Sequence, residues 1–282
     1  MSQHSSVPDG PGGSPVEIDI TTPHAARVYD YLLGGTTNFE ADRQAAQHVA
    51  KAVGGIDNAR ADVRSNRDFL ARAVEWLATE GGIRQFLDVG TGIPSDDNTH
   101  AVAQRVAPES RIVYVDNDPI VLAHAHELLK STPAGTASYV SGDLREPDAI
   151  LAEAAQTLDL TEPVGLVLVA ILHFMRDEDD PYGIVVRLLD ALPAGSHLVV
   201  SHLANDIHTD EMSELSDRLN QTVRETFVLR DHSQVSRFFD GLELVEPGLV
   251  QVDEWPTPRP PVPGAWQPRF YGGVGRKPAL SS

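Results

Sequence analysis

The sequence contains no cysteine, and this absence excludes several kinds of site. Without a thiol, the chain cannot form a disulfide, a zinc–cysteine site, an iron–sulfur cluster or a cysteine nucleophile. Lysine is also scarce, because the chain has only Lys51, Lys130 and Lys277. None of these lysines lies three residues after a tyrosine, so the tyrosine–lysine pair of short-chain dehydrogenases is absent as well.

The chain also has few positive charges and no long apolar run. The 282 residues include 22 lysines and arginines against 41 aspartates and glutamates, which gives a formal net charge of −19. A chain this acidic repels phosphate backbones and anionic membranes, so we expect neither nucleic acid nor a membrane as a partner. The longest apolar run, residues 164–172, is too short to span a bilayer, and the N-terminus has no basic apolar signal segment. We therefore expect a folded, soluble, cytoplasmic protein.

Composition and periodicity divide the chain into three parts. Residues 1–16 are rich in Ser, Pro and Gly without periodicity, which predicts a disordered tail. Residues 17–82 are predicted to be mainly helical, with three helices that each end at a pair of glycines. Residues 83–282 have a different texture and are predicted to form the core.

The core segment alternates short apolar runs with helical stretches. Runs such as RIVYVD and VGLVLVAIL are apolar on both faces, as a parallel sheet covered by helices requires. This pattern predicts a doubly wound α/β sheet. Two later strand-like pieces, residues 241–255 and 269–277, are joined by a proline-rich loop without a helical pattern, so the end of the sheet is predicted to be antiparallel.

The strongest motif is FLDVGTGIPSDDNTH, which occupies residues 86–100. A buried strand is predicted to end at Asp88, and the GTG turn at residues 90–92 leads to a helix that begins near Ser95. Glycines at such a turn let a ligand approach the backbone closely.

Two further carboxylates follow the next two predicted strands. Asp116 ends the run RIVYVD, where a carboxylate can accept hydrogen bonds from both ribose hydroxyls of an adenosine. Asp143 follows the next strand, where it can accept from an adenine amino group while Leu144 covers the ring. Because ligands of open α/β sheets bind at the carboxyl ends of the strands, these residues predict an adenosine-binding crevice. In the alternative interpretation the glycine turn is only structural, and Asp116 and Asp143 cap the helices that follow them.

The residues after the glycine turn bear on the kind of adenosine ligand. A nicotinamide dinucleotide needs a helix N-terminus for its pyrophosphate and a third glycine for close packing. Here the chain reads Pro94-Ser95-Asp96-Asp97. Two aspartates would repel a pyrophosphate but suit a cationic ligand that carries an amino group or a sulfonium. The dinucleotide is therefore the weaker of the two interpretations.

Four separated parts of the chain resemble one known family. They are PHAARVYDYLLGGTTNFEADRQAA, FLDVGTGIPSDDNTH with YVDNDPIVLAHA, ILHFMRDEDDP and FFDGLELVEPGLV. These are similar to the actinobacterial S-adenosylmethionine-dependent methyltransferase family long catalogued as a domain of unknown function, over about residues 20–275. The resemblance implies a class I methyltransferase fold: an α/β, Rossmann-like, seven-stranded and mostly parallel sheet whose last strand is antiparallel, preceded by a helical lid. It also implies S-adenosyl-L-methionine as the cofactor.

Carried over by position, the resemblance assigns parts of the cofactor to particular residues. Asp88 and the glycine turn lie at its amino-acid part, Asp116 at its ribose, and Asp143 with Leu144 at its adenine. The residues expected to bind the cofactor are Asp88, Gly90, Thr91, Gly92, Asp116, Asn117, Gly142, Asp143, Leu144 and Ala170. Pro94 stands where the general methyltransferase pattern has a third glycine, so the local loop departs from that pattern.

Methyl transfer from a sulfonium is an in-line displacement, so positioning of the acceptor supplies much of the rate. A base is needed only if the acceptor must lose a proton. His173 follows the fourth core strand, beside the expected methyl position, and is the predicted general base or acceptor-orienting group. His202, at the end of the fifth strand, is a second histidine of the same kind. In the alternative, His173 only bonds to backbone at the sheet edge. The acidic run at residues 176–180 is predicted to form a helix N-terminus and not a metal site.

The helices before the core supply further residues for the pocket. Tyr29, Tyr31, Arg64 and Arg67 are expected to face it, and either arginine could hold the cofactor carboxylate through a bidentate contact. The alternative is that the arginines form a solvated helix face and the tyrosines belong to the core.

Together these features predict a single-domain S-adenosylmethionine-dependent methyltransferase that acts on a small molecule, neutral or cationic in preference to a polyanion. A protein that holds S-adenosylmethionine or its demethylated product without turnover is the alternative. A dinucleotide-dependent oxidoreductase is the third hypothesis. The sequence leaves the acceptor and the oligomeric state open.

Overall fold

The computed structural model describes residues 4–7, 16–94, 97–121, 131–210, 212, 227–257 and 266–279, with side chains from residue 19 onward. In chain order, its strands are β1 (His4–Val7), β2 (Val16–Asp19), β3 (Gln85–Val89), β4 (Arg111–Asp116), β5 (Thr136–Ser141), β6 (Gly165–Val169), β7 (His197–Leu203), β8 (Glu243–Leu244), β9 (Val250–Gln251) and β10 (Phe270–Arg276).

A mixed sheet forms the centre of the protein. Its strand order is β5-β4-β3-β6-β7-β10-β8, and β9 also pairs with β10. The five strands from β3 to β7 are parallel to their neighbours, whereas β10 runs antiparallel to β7. The predicted parallel sheet with an antiparallel last strand is therefore confirmed.

The strand count differs from the predicted seven because one predicted strand is divided. Residues 241–255 form the two short strands β8 and β9, both paired with β10. Pro247 and Gly248 lie between them, and Gly248 has a φ of 95°. A proline has no N–H to donate to a sheet ladder and the left-handed glycine turns the chain, so a continuous strand cannot pass through this point.

Alternation along the strands explains why both faces of the sheet are covered. On β4, Ile112 and Tyr114 pack into one hydrophobic cluster, and Val113 and Val115 pack into another. Successive side chains of a strand point to opposite faces, so the two clusters are the cores on either side of the sheet. Strands that are buried on both faces are typical of a parallel sheet between two layers of helices.

Seven α-helices are described along these ranges of the chain. They are α1 (Ala25–Leu33), α2 (Glu40–Ala52), α3 (Ile56–Thr79), α4 (Thr99–Val106), α5 (Pro147–Ala154), α6 (Pro181–Asp190) and α7 (His232–Ser236). The three helices predicted for residues 17–82 are thus present. The C-cap of α1 is Gly34, with a left-handed φ of 92°, as its predicted stop signal requires. None of the helices in the described ranges has the length and apolar character needed to cross a membrane.

Two predicted boundaries need correction. The helix expected near Ser95 begins at Thr99, after Asn98 in an extended conformation, while Ser95 itself lies outside the described residues. The segment His4–Val7 was expected in a disordered tail, but its backbone pairs antiparallel with Val16–Asp19. A hairpin of this kind is held by main-chain hydrogen bonds, which composition does not reveal. Residues 1–3 and 8–15 of that tail lie outside the described part.

The N-terminal helices share their core with the sheet. Side chains of α1, α2 and α3 belong to the same hydrophobic cluster as Phe86 and Val167. Arg72 on α3 donates to the backbone oxygens of Val252 and Trp255. Deeper in the molecule, Arg269 forms a buried ion pair with Asp62 of α3, with 2.9 Å between Nη1 and Oδ2. The last strand and the third helix therefore depend on each other.

The Asp62–Arg269 pair predicts a large stability difference between two kinds of ion pair. We expect Asp62→Ala to lower the free energy of unfolding by about 3–5 kcal/mol, because it leaves the Arg269 charge buried without its carboxylate. The matched control is Glu243→Ala, which removes the exposed partner of Arg276 at the other end of β10 and should cost less than about 1 kcal/mol. Urea unfolding of both variants measures the two values. Equal losses would contradict the structural role given to Asp62.

Candidate functional site

A cavity of about 1120 Å³ lies at the carboxyl ends of the parallel strands, beneath the N-terminal helices. Residues that end or follow β3, β4, β5 and β6 form one part of its wall, and α1 to α3 form another. The sequence-predicted cofactor residues that line it are Asp88, Gly90, Thr91, Gly92, Asp116, Asn117, Gly142, Asp143, Leu144 and Ala170. The fold therefore brings the separate motifs to one place.

The glycine turn after β3 requires glycine at both positions. Gly90 and Gly92 have φ values of 78° and 67°, in the left-handed region. A Cβ on Gly90 would come within 2.6 Å of the Ile171 side chain, so the turn packs tightly against the segment after β6. Among the described residues, apart from Gly92 and its two chain neighbours, no atom lies within 4 Å of the corresponding position on Gly92, which lines the cavity. This side of the turn leaves room for a ligand to approach the backbone.

Asp116 connects the glycine turn to the end of β4. Its Oδ2 accepts a hydrogen bond from the Gly92 N–H at 2.8 Å, and its Oδ1 accepts from the Asp118 N–H at 2.9 Å. Burial raises the pKa of this carboxyl above its usual value. Each carboxylate oxygen has a second lone pair, so the group can still accept from a ligand.

The structure contradicts the capping role that the alternative interpretation gave to Asp116. A helical turn follows at residues 119–121, and it is Asp118 whose Oδ1 accepts from the Ile120 N–H at 2.9 Å. Asp118 thus takes the capping role that the alternative gave to Asp116. Asp118 also lies 3.0 Å from Nδ1 of His24, which ties the start of α1 to the rim of the cavity. The sequence analysis missed both residues, although the DND run that contains Asp118 was a signal.

Asp88 is the second buried carboxylate at this end of the sheet. Thr99 donates its hydroxyl to Asp88 Oδ2 at 2.6 Å. Burial raises the pKa of Asp88 to about 6, and the nearby Asp116 adds a smaller upward contribution. A cationic group in the cavity would lower that pKa again by stabilising the charged form.

Asp143 has an environment opposite to that of the two buried carboxylates. It is partly exposed and forms a forked contact with the Arg145 side chain, at 2.9 Å from Nε to Oδ1 and 2.6 Å from Nη2 to Oδ2. The hydrogen bonds to Arg145 hold the pKa of Asp143 below its usual range. Beside it, a Cβ on Gly142 would lie 2.9 Å from Val115, so a larger residue would push this loop away from the sheet.

Ala170, at the end of β6, is a rare non-glycine residue in the left-handed region, with a φ of 55°. Its N–H donates to both Oγ and the backbone oxygen of Ser201 on β7, at 3.0 and 3.2 Å. Such a conformation costs about 1–2 kcal/mol and persists only where the surroundings hold it.

His173 lines the cavity and is 3% exposed. Its ring lies 4.4 Å from the ring of Phe174 and 5.5 Å from that of Phe227, to which it is nearly parallel. Burial, reinforced by His202 and Arg230, lowers its pKa well below the usual value, so the imidazole is neutral at pH 7. Within the described part of the chain, its Nδ1 is buried without a hydrogen-bond partner.

The second histidine, His202, is a structural residue. It does not line the cavity. Its Nδ1 lies 2.7 Å from the Leu203 carbonyl oxygen and its Nε2 lies 3.1 Å from Nη1 of Arg230, so Nδ1 carries the proton and Nε2 accepts. Burial lowers its pKa to about 3. The expectation that His202 takes part in catalysis is wrong, because both ring nitrogens are engaged inside the protein.

The structure divides the four expected lid residues into two pairs. Tyr29 and Arg67 line the cavity, whereas Tyr31 and Arg64 do not. Arg67 donates to Asn98 Oδ1 at 2.6 Å and to the Asp97 carbonyl at 3.2 Å. Arg64 is exposed on the outer face of α3, and Tyr31 is turned away from Tyr29 by its spacing of two residues along α1. The prediction that Tyr31 and Arg64 face the pocket is therefore wrong.

Asn66 is a further cavity residue that the sequence analysis missed. It is 1% exposed and lies on α3 one turn after Asp62, among the apolar residues that face the sheet. A polar residue inside a buried helical stripe was the available signal.

The acidic run after Phe174 behaves as predicted at its end, where Asp180 caps α6. No group of three His, Asp or Glu side chains in the described ranges is placed to hold a metal ion.

Comparisons with known proteins agree with this geometry. A family model described as S-adenosyl methyltransferase matches residues 12–278. A DUF574 family protein from Streptomyces avermitilis is 45% identical, with a TM-score of 0.87 over 92% of this chain and 99% of that chain. A candidate methyltransferase from Thermobifida fusca is 37% identical, with a TM-score of 0.84 over 93% and 97% of the two chains. Both organisms are actinobacteria. No curated protein matches the chain.

A more distant likeness concerns the fold alone. An O-methyltransferase family protein from Burkholderia thailandensis is 13% identical, with a TM-score of 0.51 over 80% of this chain and 60% of that chain. The sheet order and its antiparallel strand are those of a class I methyltransferase. The match of the family model decides between the two adenosine ligands that the sequence left open. The chain belongs to the S-adenosyl methyltransferase family and is an S-adenosylmethionine-dependent methyltransferase.

Proposed function

We propose that the protein transfers the methyl group of S-adenosylmethionine to a small, uncharged and largely apolar molecule. The observation that carries this proposal is the contrast between the two ends of the cavity. Buried carboxylates line the end formed by β3 and β4. The end formed by β6, β7, β10 and the N-terminal helices is lined largely by apolar side chains, and its charged side chains, Arg27, Asp30 and Asp62, are each engaged by other protein groups. The bound cofactor supplies an electrophilic methyl group on a sulfonium.

The carboxylate end fits the cofactor chemically. Asp88 and Asp116 are both buried with raised pKa values, so a ligand that carries a positive charge stabilises their ionised forms. The open side of Gly92 gives the ligand access to the backbone. In this proposal Asp116 accepts from the ribose hydroxyls, Asp88 faces the amino-acid part, and Asp143 with Leu144 contacts the adenine.

The other end supports an uncharged acceptor. Its apolar lining includes Leu33, Val49, Val53, Val63, Leu70, Phe174, Leu203, Phe227 and Phe270. Charged and polar groups on the same elements already have partners: Arg27 lies beside Asp42, Asp30 accepts from Asn38, Asp62 pairs with Arg269, and Asn66 bonds to Tyr29. A charged acceptor would lose its hydration there while competing for charges that are already paired, which is costly.

His173 is the residue proposed to orient the acceptor at this end. Its neutral ring is held among Phe174 and Phe227 and offers a nitrogen lone pair in an apolar setting. A neutral imidazole can accept a hydrogen bond from an acceptor hydroxyl or amino group and can take its proton as the methyl group is transferred.

Removal of the Asp116 carboxylate should weaken cofactor binding. We expect Asp116→Ala to raise the Kd for S-adenosylhomocysteine about ten- to hundredfold, on the scale of hydrogen bonds to a charged group. Asp148→Ala is the matched control, because Asp148 pairs with Arg187 on the outer surface and does not line the cavity. Isothermal titration calorimetry measures both constants. Unchanged affinity in Asp116→Ala would remove this residue from the proposed ribose contact.

The raised pKa of Asp88 predicts a pH dependence of binding. A carboxyl group must be ionised to attract the ligand ammonium, so affinity for S-adenosylhomocysteine should fall as the pH drops through about 6, by up to about tenfold per pH unit. Above about pH 7 the affinity should be constant. Asp88→Asn should bind more weakly at pH 7.5 and lose most of this slope. The same slope in Asp88→Asn and in the unaltered protein would assign the titration to another group.

The acceptor proposal is tested with a pair of ligands that differ in charge. We expect 2-naphthol to bind the S-adenosylhomocysteine-loaded protein more tightly than the carboxylated 3-hydroxy-2-naphthoate, because the charges at the acceptor end are already paired within the protein. Neutral phenols and amines should likewise be the compounds that release S-adenosylhomocysteine from S-adenosylmethionine. His173→Ala should lower that turnover by about a hundredfold or more while leaving cofactor affinity intact. A preference for the carboxylated ligand would refute the proposed acceptor class.

A further inference from the structure

A chain of four hydrogen bonds runs from the end of β6 to the helical lid. The Ala170 N–H donates to Ser201 Oγ at 3.0 Å, and Ser201 Oγ donates to Asn66 Oδ1 at 2.5 Å. Asn66 Nδ2 then donates to the Tyr29 hydroxyl at 3.0 Å, which donates to the Val63 carbonyl oxygen at 2.9 Å. The chain joins β6, β7, α3 and α1, which are distant in sequence.

Every hydrogen bond in this chain points the same way. Each side chain accepts from the preceding group and donates to the next, and hydrogen bonds arranged in this order polarise one another. Asn66 and Ser201 are almost completely buried, so water does not compete for their polar atoms. Burial raises the pKa of Tyr29, which keeps its hydroxyl protonated as a donor. The loss of one member leaves its neighbours unsatisfied in a buried place.

The first member of the chain controls the geometry of the site. Ala170 is held in the left-handed region, and the residue after it, Ile171, packs against Gly90 of the glycine turn. The short 3-10 helix Leu172–Phe174 follows directly and carries His173. A change in the backbone at Ala170 therefore moves a contact of the cofactor turn and the proposed acceptor residue together.

The last side chain in the chain of hydrogen bonds is Tyr29, which lies on the first helix of the lid. Tyr29 is on α1, which covers the cavity, and both Tyr29 and Asn66 line it. If α1 moves away from α3, the hydrogen bond from Asn66 Nδ2 to the Tyr29 hydroxyl is lost. The Asn66 amide is then no longer held in the orientation in which its Oδ1 accepts from Ser201. Closure of the lid and the conformation of Ala170 thus share one set of bonds.

We propose that Tyr29, Asn66 and Ser201 form a single positioning unit that couples the seating of α1 to the conformation of Ala170 and hence to cofactor affinity. This inference rests on the cofactor end of the proposed site and is independent of the acceptor class. None of the three residues is required to touch the reacting atoms. They act through the backbone that they hold.

A double-mutant cycle on S-adenosylhomocysteine binding tests the coupling. Tyr29→Phe keeps the ring but removes the hydroxyl, and Ser201→Ala removes the other link. We expect each single variant to raise the Kd about fivefold, and the double variant to raise it by about the same factor instead of about twenty-five-fold, because either change breaks the same unit. Tyr31→Phe is the matched control, since it alters the same helix outside the cavity and the chain. It should leave the Kd unchanged, and it should add nothing to Ser201→Ala.

Hydrogen exchange without ligand supplies a second measurement. In Tyr29→Phe, amides of residues 170–174 should exchange faster than in the unaltered protein, whereas Tyr31→Phe should leave them unchanged. Multiplicative Kd effects, or single variants that lose stability in urea while binding S-adenosylhomocysteine as the unaltered protein does, would overturn the coupling and leave a purely structural network. Failure of the acceptor proposal would show instead as a preference for charged ligands, with the cycle unaffected.

Discussion

The hydrogen bond from the Gly92 N–H to Asp116 is the contact on which the geometry of the site depends. It joins the turn after β3 to the end of β4, two strands whose carboxyl ends form one wall of the cavity. The carboxylate is buried, which is costly for a charge, and the two backbone N–H groups that it accepts from offset part of that cost. In the proposed function, ribose hydroxyls of the cofactor would offset more of it. The same carboxylate fixes the glycine turn that lines the cavity.

The N-terminal helices cover the cavity and also contribute side chains to the hydrophobic core. Asp62 pairs with Arg269 at the start of β10, and Arg72 binds backbone near Trp255, so α3 is fixed to the last strand. This anchoring fixes α3 to the sheet, while most of α1, including Tyr29, lines the cavity. The ion pair with Arg269 holds α3 to the last strand, whereas the Tyr29 hydroxyl joins α1 to α3 through Asn66 and the Val63 carbonyl.

The sequence predicts those features that depend on local pattern or on topology. Runs apolar on both faces identify the parallel strands, and the rule that ligands bind at carboxyl ends brings Asp88, Asp116 and Asp143 to one edge. Side-chain direction on a helix is set by the tertiary contacts of the whole helix, so the exposed position of Arg64 was not predictable from its spacing to Arg67. The burial of His173 depends on Phe227, which is far away in sequence, and the pKa shift follows from that burial.

Burial acts in opposite directions on the acids and bases of the cavity. It raises the pKa of Asp88 and Asp116, so a positive charge beside them would stabilise their ionised forms. It lowers the pKa of His173, so that this ring stays neutral. One physical cause therefore has both effects, and in the proposed function it separates the end that holds the cofactor from the end that holds the acceptor. The net charge of −19 is then a property of the surface as well as of the site, because some acids line the cavity whereas others, such as Asp148 and Glu243, are exposed.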